Sequence, residues 1–83
     1  MASEVHQPAH YNKTPGGVEC IAAIRSSMTP EAFAGFCKGN VLKYLWRYEN
    51  KGGVGDLQKA AVYLDWLTNT AEYIEYNNKQ REY

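Results

Sequence analysis

The chain has 83 residues, of which 45% are hydrophobic, 22% charged and 13% aromatic, and its formal net charge is zero. This balance argues against duplex nucleic acid as a main partner. No apolar run approaches 18 residues, which argues against a membrane span. A chain this small buries only about 60–65% of its unfolded surface, so we expect one domain over residues 1–83 that forms a homo-oligomer.

Cys20 and Cys37 form no CxxC pair, and no His or carboxylate set has the paired spacing of a metal site. We therefore predict no metal site. Both thiols are expected to be reduced and buried, as small apolar residues of a cytosolic protein.

The N-terminal stretch to Pro15 lacks a helical period and is predicted to be an extended arm, with residues 1–9 flexible. A turn at Gly16 and Gly17 follows. A short helix is predicted from Val18 to Ser26, where Glu19 could cap the helix or pair with a basic side chain.

A second helix is predicted from Pro30 to about Glu49, with Thr29 as its N-cap. Gly35 and Gly39 each weaken it by about 0.5–1 kcal/mol relative to Ala. They indicate either a break or a place where another backbone packs closely.

The glycine-rich segment 50–55 predicts a turn, with Asn50 or Gly52 in the left-handed conformation. Asp56 is predicted to cap a long helix that ends near Tyr76, and residues 77–83 are expected to fray. The helix carries an apolar stripe at helical spacing: Leu57, Ala60, Leu64, Leu67, Ala71 and Ile74. The predicted fold is all-α, a two-helix hairpin with a short N-terminal helix and an extended arm.

Polar side chains share one arc of the second helix. At about 100° per residue, Asn40, Lys43 and Arg47 lie within about 60° of each other. They form either a solvated face or an anion site. The remaining arc is a broad apolar side, and the many aromatic residues of the chain suggest that some lie at an interface or a ligand site. This side is formed by Cys37, Val41, Leu42, Tyr44, Leu45, Trp46 and Tyr48.

The next helix adds a second ridge of Lys59, Tyr63 and Trp66, spaced by four and three residues. Lys59 could supply a cation, and the two rings could stack on a base. The alternative is a snorkelling lysine beside half-buried aromatic rings. The backbone N–H groups of the glycine turn could also meet a phosphate, although such a turn is more often only a turn.

The order of these motifs resembles the SaV-like family of small bacteriophage proteins of uncharacterised function. The resemblance covers about residues 10 to 67 and is carried by His10-Tyr11, Gly17-Val18-Glu19, Phe36, Gly39-Asn40, Lys43-Tyr44, Arg47, Lys51-Gly52, Asp56-Leu57, Lys59-Ala60 and Tyr63-Leu64. It implies a phage protein in the host-cell cytoplasm. Some members are described as nucleotide kinase-like, because the domain resembles part of an early phage enzyme that phosphorylates deoxynucleoside monophosphates without a P-loop.

The first hypothesis is a phage protein that binds a nucleotide or another phosphate-bearing ligand, with or without kinase-like activity. Its candidate phosphate-binding residues are His10, Tyr11, Asn40, Lys43, Arg47 and Lys59, with Tyr63 and Trp66 as stacking residues. If the protein is catalytic, Glu19 or Asp56 could hold Mg²⁺.

The second hypothesis is a non-catalytic anti-defence protein that sequesters a cyclic nucleotide signal or blocks a host immune protein. The third is structural: Lys43 and Arg47 pair internally with Glu19 and fix the packing of the helices. The sequence leaves open which ligand is bound and whether any reaction occurs.

Overall fold

The computed structural model describes residues 19–81, and these form three α-helices. Helix α1 spans Cys20–Ser26, α2 spans Pro30–Arg47 and α3 spans Gly53–Arg81. The all-α prediction is confirmed. The arm, with His10 and Tyr11, and residues 82–83 lie outside the described residues, so the predictions made for them keep that status.

Helix α1 starts at Cys20, with Glu19 in the N-cap position. The Glu19 side chain makes no capping hydrogen bond there, although the sequence allowed one. Helix α1 ends at Ser27, whose hydroxyl donates to the carbonyl of Ile24 at 2.7 Å. The helix contacts α2, which holds it against one end of the hairpin.

Helix α2 begins as its capping residues predict. The Ala32 N–H donates to the Thr29 hydroxyl at 3.1 Å, and Pro30 follows the cap at the first helical position. The helix ends at Arg47, two residues before the predicted end. It continues through Gly35 and Gly39 without a break, and a Cβ built at either glycine meets nothing within 4 Å. The predicted break was therefore wrong, and within residues 19–81 no other backbone packs against either glycine.

The turn of residues 48–52 reverses the chain, and its left-handed residue is Gly53, with φ of +57°. The prediction of Asn50 or Gly52 at this position was wrong. The Gly53 N–H donates to the carbonyl of Tyr48 at 2.7 Å and so closes the turn. A left-handed residue costs about 1–2 kcal/mol unless it is a glycine.

Helix α3 begins three residues earlier than predicted, at Gly53, so Asp56 is in its first turn and is not its N-cap. The physical reason is that the Asp56 carboxylate points inward: the residue is only 1% exposed. The helix also continues past the predicted end at Tyr76 to Arg81. Its last turns carry Lys79 and Arg81, which favour the negative end of the helix dipole.

Helices α2 and α3 pack along each other as an antiparallel hairpin. The fully buried apolar side chains of residues 19–81 are Phe33 and Cys37 on α2 and Ala60 and Val62 on α3. Burial of Cys37 is confirmed, whereas Cys20 is exposed, contrary to prediction, because α1 buries none of its side chains.

Part of the predicted apolar face is exposed. Leu42, Leu45 and Trp46 are 56%, 47% and 89% exposed, and Leu64 of the predicted α3 stripe is 50% exposed. Apolar residues surround much of α2, so a helical wheel alone does not show which arc meets α3. Neither long helix of the described chain has an apolar stretch that could cross a bilayer.

Candidate functional site

Three cationic side chains converge on one aromatic ring. The Lys43 Nζ lies 4.3 Å, the Arg47 guanidinium carbon 4.9 Å and the Lys59 Nζ 5.6 Å from the centroid of the Tyr44 ring. We call these four residues the cationic cluster. The cluster joins α2 to α3 near the turn, so the fold brings Lys59 of the second ridge beside Lys43 and Arg47 of the α2 arc.

Arg47 is held by Asp56, the first acidic residue of α3. The Arg47 Nε donates to one carboxylate oxygen at 3.1 Å and its Nη2 to the other at 3.4 Å. The hydrogen bond from Arg47 is the main cause that lowers the pKa of Asp56, and the reciprocal bond raises the pKa of Arg47. This is the one ion pair among residues 19–81, and it fixes the guanidinium beside Tyr44.

The Asp56 carboxylate also accepts a hydrogen bond from the backbone N–H of Gly52, and the nearby charge of Lys59 lowers the Asp56 pKa further. The N-terminal end of α3 therefore already faces a carboxylate from its own first turn. A phosphate drawn to that helix end would have to compete with Asp56.

The sequence suggested Asp56 as one residue that could hold Mg²⁺ if the protein is catalytic. The structure directs both oxygens of this carboxylate at Arg47, and the residue is almost fully buried. No group of three or more His, Cys, Asp or Glu side chains that could hold a metal ion occurs among residues 19–81. Asp56 does not fit a Mg²⁺ ligand in this arrangement.

The predicted stacking residues lie directly beside the cluster. Tyr63 stacks on Tyr44, with ring centroids 5.9 Å apart and planes 24° from parallel. Trp66 meets Tyr63 edge-on at 5.2 Å, and Phe36 meets it edge-on from α2 at 5.9 Å. The cations thus border a continuous aromatic surface, which is the combination that nucleotide binding uses for phosphates and a base.

Asn40 is half-buried on α2, one turn before Tyr44. Its side-chain amide donates to the carbonyl of Phe36 at 2.9 Å. This bond uses one of the amide donors of Asn40 within its own helix. Arg47 pairs with Asp56 and not with Glu19, so the internal pair that forms differs from the expected one.

Two residues of the site were not singled out from the sequence. Tyr44, the centre of the cluster, was assigned to the apolar side of α2, and Phe36 was named only among the residues that carry the family resemblance. The available signal was the spacing of three residues between Tyr44 and Arg47, which brings two side chains together on a helix. Lys43 reaches the same ring from the adjacent position, which helical spacing does not predict.

A separate groove lies at the other end of the hairpin and has a volume of about 360 Å³. Its lining includes Arg25, Phe33 and Tyr73, and none of the predicted site residues contributes to it. The Arg25 guanidinium lies 5.0 Å from the Phe33 ring centroid. This groove is distinct from the cationic cluster.

Comparison with known proteins places the chain among phage proteins. The model of a family described as a protein of unknown function, DUF3310, matches residues 5–65. Gene 1.7 protein of Enterobacteria phage T3 is 46% identical over 69 residues, covering 78% of this chain and 42% of the phage T3 protein. Nucleotide kinase gp1.7 of Escherichia phage T7 is 39% identical over 68 residues, covering 82% of this chain and 34% of the phage T7 protein.

The chain therefore matches less than half the length of these two relatives. No solved structure gives a significant match. The resemblance to a family of small phage proteins is confirmed, and one of the two relatives is named a nucleotide kinase.

Proposed function

Since the chain belongs to the DUF3310 family and is similar to phage proteins of which one is named a nucleotide kinase, we propose that it binds a nucleotide at the cationic cluster. The proposal extends to other phosphate-bearing ligands of the same charge. It places the protein in the cytoplasm of the host cell. The single observation that carries it is the convergence of Lys43, Arg47 and Lys59 on the Tyr44 ring.

The charge of the cluster supports an anionic ligand. The cluster has three positive side chains and one neighbouring carboxylate, that of Asp56, which is already bound to Arg47. Lys43 is exposed and Lys59 is half-buried, so both ammonium groups are available to phosphate oxygens. Charge-assisted hydrogen bonds of this kind are roughly twice as strong as neutral ones.

The aromatic surface supports a nucleotide over a bare phosphate. Tyr63 and Trp66 continue from Tyr44 along α3, away from the turn. A ligand with its phosphates between Lys43 and Lys59 would have its base at these rings. Stacking on an aromatic side chain contributes about 1–3 kcal/mol per base and tolerates different bases.

Two outcomes follow binding: phosphoryl transfer, as in a kinase-like protein, or retention of the nucleotide without chemistry. The pairing of Asp56 with Arg47 favours the second, because a general base or a metal ligand needs a free carboxylate. We therefore keep a non-catalytic anti-defence protein, which sequesters a nucleotide signal, as the second candidate function.

Isothermal titration calorimetry tests the binding. The panel is deoxynucleoside mono- and diphosphates, cyclic nucleotides and pyrophosphate, each at two salt concentrations. We expect binding that weakens with salt, and at least ten-fold weaker binding for Lys43→Ala and for Lys59→Ala, since a hydrogen bond to a charged group contributes about 1.5–3 kcal/mol.

Lys79→Ala is the matched control, because Lys79 is an exposed lysine at the far end of α3. It should bind like wild type. Absence of binding to every ligand by the folded protein would refute the proposal.

A turnover assay separates the two candidate functions. The protein is incubated with ATP and a bound deoxynucleoside monophosphate, and the products are separated by chromatography. Formation of ADP and a deoxynucleoside diphosphate supports the kinase-like function. Recovery of both nucleotides unchanged supports sequestration.

A further inference from the structure

The guanidinium of Arg47 is held on two of its sides. In its own plane, Nε and Nη2 donate to the two oxygens of Asp56 at 3.1 and 3.4 Å. Against its face lies the ring of Tyr44, whose centroid is 4.9 Å from the guanidinium carbon. Because the group is planar and rigid, contacts in its plane and on its face together set the direction of its remaining edge.

The remaining edge still carries hydrogen-bond donors. A guanidinium has five N–H donors, and two of those of Arg47 point at Asp56. The others are the two on Nη1 and the second one on Nη2, and we call them the outer edge of Arg47. Such an edge can donate two parallel hydrogen bonds to two oxygens of one phosphate. Among residues 19–81 no second carboxylate pairs with Arg47.

The outer edge is accessible to a ligand. The side chain of Arg47 is 34% exposed, whereas that of Asp56 is 1% exposed. The edge that meets the buried carboxylate is therefore covered, and the accessible donors are those of the outer edge. Lys43 and Lys59 approach the same Tyr44 ring, so the outer edge belongs to the cationic cluster.

Asp56 has two opposite effects on an anion that binds here. The hydrogen bond from Arg47 holds the Asp56 pKa below its usual value, so the carboxylate is charged at neutral pH and its charge opposes the anion. The same bonds order Arg47 before the ligand arrives, and a side chain that is already ordered loses less conformational entropy on binding. Since Arg47 already neutralises much of the carboxylate charge, the second effect is the larger one.

We propose that Asp56 is a positioning residue for the ligand: it holds Arg47 so that the outer edge donates two hydrogen bonds to one phosphate. This role rests on the proposed function, because it concerns how the same site holds its nucleotide. Asp56 does not touch the ligand, and its bonds to Arg47 stay in place when the nucleotide binds.

Asp56→Asn tests this role through the sign of its effect on affinity. The substitution removes a negative charge beside an anionic ligand, so a carboxylate that acts only through its charge would give tighter binding once replaced. The positioning role predicts the reverse, about three- to ten-fold weaker binding in calorimetry, because Arg47 then becomes ordered only when the ligand binds. The titration is run well below the Tm of the variant, with its helicity checked by circular dichroism.

Arg47→Lys tests the outer edge itself. Lysine keeps the positive charge and cannot bind Asp56 and a phosphate through two fixed edges, so we expect about ten-fold or greater loss of affinity. Arg81→Lys is the matched control, since Arg81 is an exposed arginine in the last turn of α3 and should bind like wild type. An Arg47→Lys protein with wild-type affinity would overturn the proposal.

The wild-type protein gives a further readout that does not depend on a folded variant. In ¹H–¹⁵N spectra the Nε–H of Arg47 should exchange slowly with solvent, because it is bonded to a buried carboxylate, and it should stay slow at saturating nucleotide. Fast exchange in the complex would show that the phosphate replaces Asp56, which contradicts the positioning role.

The outcomes separate this role from the proposed function. A wild-type protein that binds nucleotide through Lys43 and Lys59, with equal or tighter binding by Asp56→Asn, overturns the role of Asp56 and leaves the proposed function standing. A folded wild-type protein that binds no nucleotide overturns both.

Discussion

Replacing Gly52 by alanine should destabilise the protein more than any other glycine substitution in the same turn. A Cβ on Gly52 would collide with the carboxyl group of Asp56. That carboxylate is bound by Arg47 and by the Gly52 N–H, and the residue is 1% exposed. It cannot move aside without losing the ion pair that joins α2 to α3.

The size of the effect follows from the neighbours of each glycine. Overpacking a filled site costs about 1–3 kcal/mol, and in a domain of this size each kcal/mol lowers Tm by about 4–8 °C. We therefore expect Gly52→Ala to lower Tm by roughly 4–24 °C. Gly53→Ala should cost about 1–2 kcal/mol, because its φ of +57° is left-handed. Gly55→Ala should stabilise the protein by about 0.5–1 kcal/mol, because Gly55 is helical and a Cβ there meets nothing.

Thermal melts of the three variants, followed by circular dichroism at one protein concentration, give the comparison. A fixed concentration is needed because self-association, which the sequence predicts, would make Tm depend on concentration. The order of Tm should be Gly55→Ala, wild type, then the other two. A Gly52→Ala protein as stable as wild type would show that the Asp56 carboxylate does not lie against Gly52, and the reasoning would fail.

Two further predictions concern titratable groups. The pKa of Asp56 is lowered in the folded state, so its stabilising effect is present above the unfolded value of about 3.9 and is lost as pH falls through the folded value. The Tm difference between wild type and Asp56→Asn should therefore be constant from pH 7 to about pH 5 and narrow below about pH 4. A Tm difference that is the same at pH 7 and pH 2 would contradict the ion pair. Burial raises the pKa of the Cys37 thiol, although the nearby charge of Arg25 lowers it. Cys37 is 0% exposed, whereas Cys20 is exposed, so a thiol reagent should modify Cys20 rapidly and Cys37 only after unfolding. Equal rates of modification in the native protein would show that the core is open.

Local sequence signals predicted the elements well where the determinant is itself local. The cap of α2 depends on Thr29 and Pro30, which need no distant partner, and its start is confirmed. The hairpin follows from two amphipathic segments joined by a glycine-rich turn. Once the hairpin forms, Lys43 and Lys59 must come near each other, so their convergence was predictable.

The errors arose where a long-range partner decides the outcome. Asp56 has the residue type and position of an N-cap, but Arg47 on the other helix draws its carboxylate inward, and the helix starts at Gly53 instead. A helical wheel gives the relative positions of residues around a helix, but it does not show on which side the neighbouring helix packs. For this reason the wheel could not show that Leu42 and Trp46, on the broad apolar side of α2, are exposed.

The most direct test of the proposed ligand site is an NMR titration of the ¹⁵N-labelled protein with a deoxynucleoside monophosphate. The account predicts that the largest amide shifts fall on residues 43–47 and 59–66, and that Lys43→Ala greatly reduces them. Shifts confined to the groove of Arg25, Phe33 and Tyr73, or no shifts at millimolar ligand, would contradict a phosphate-binding cationic cluster.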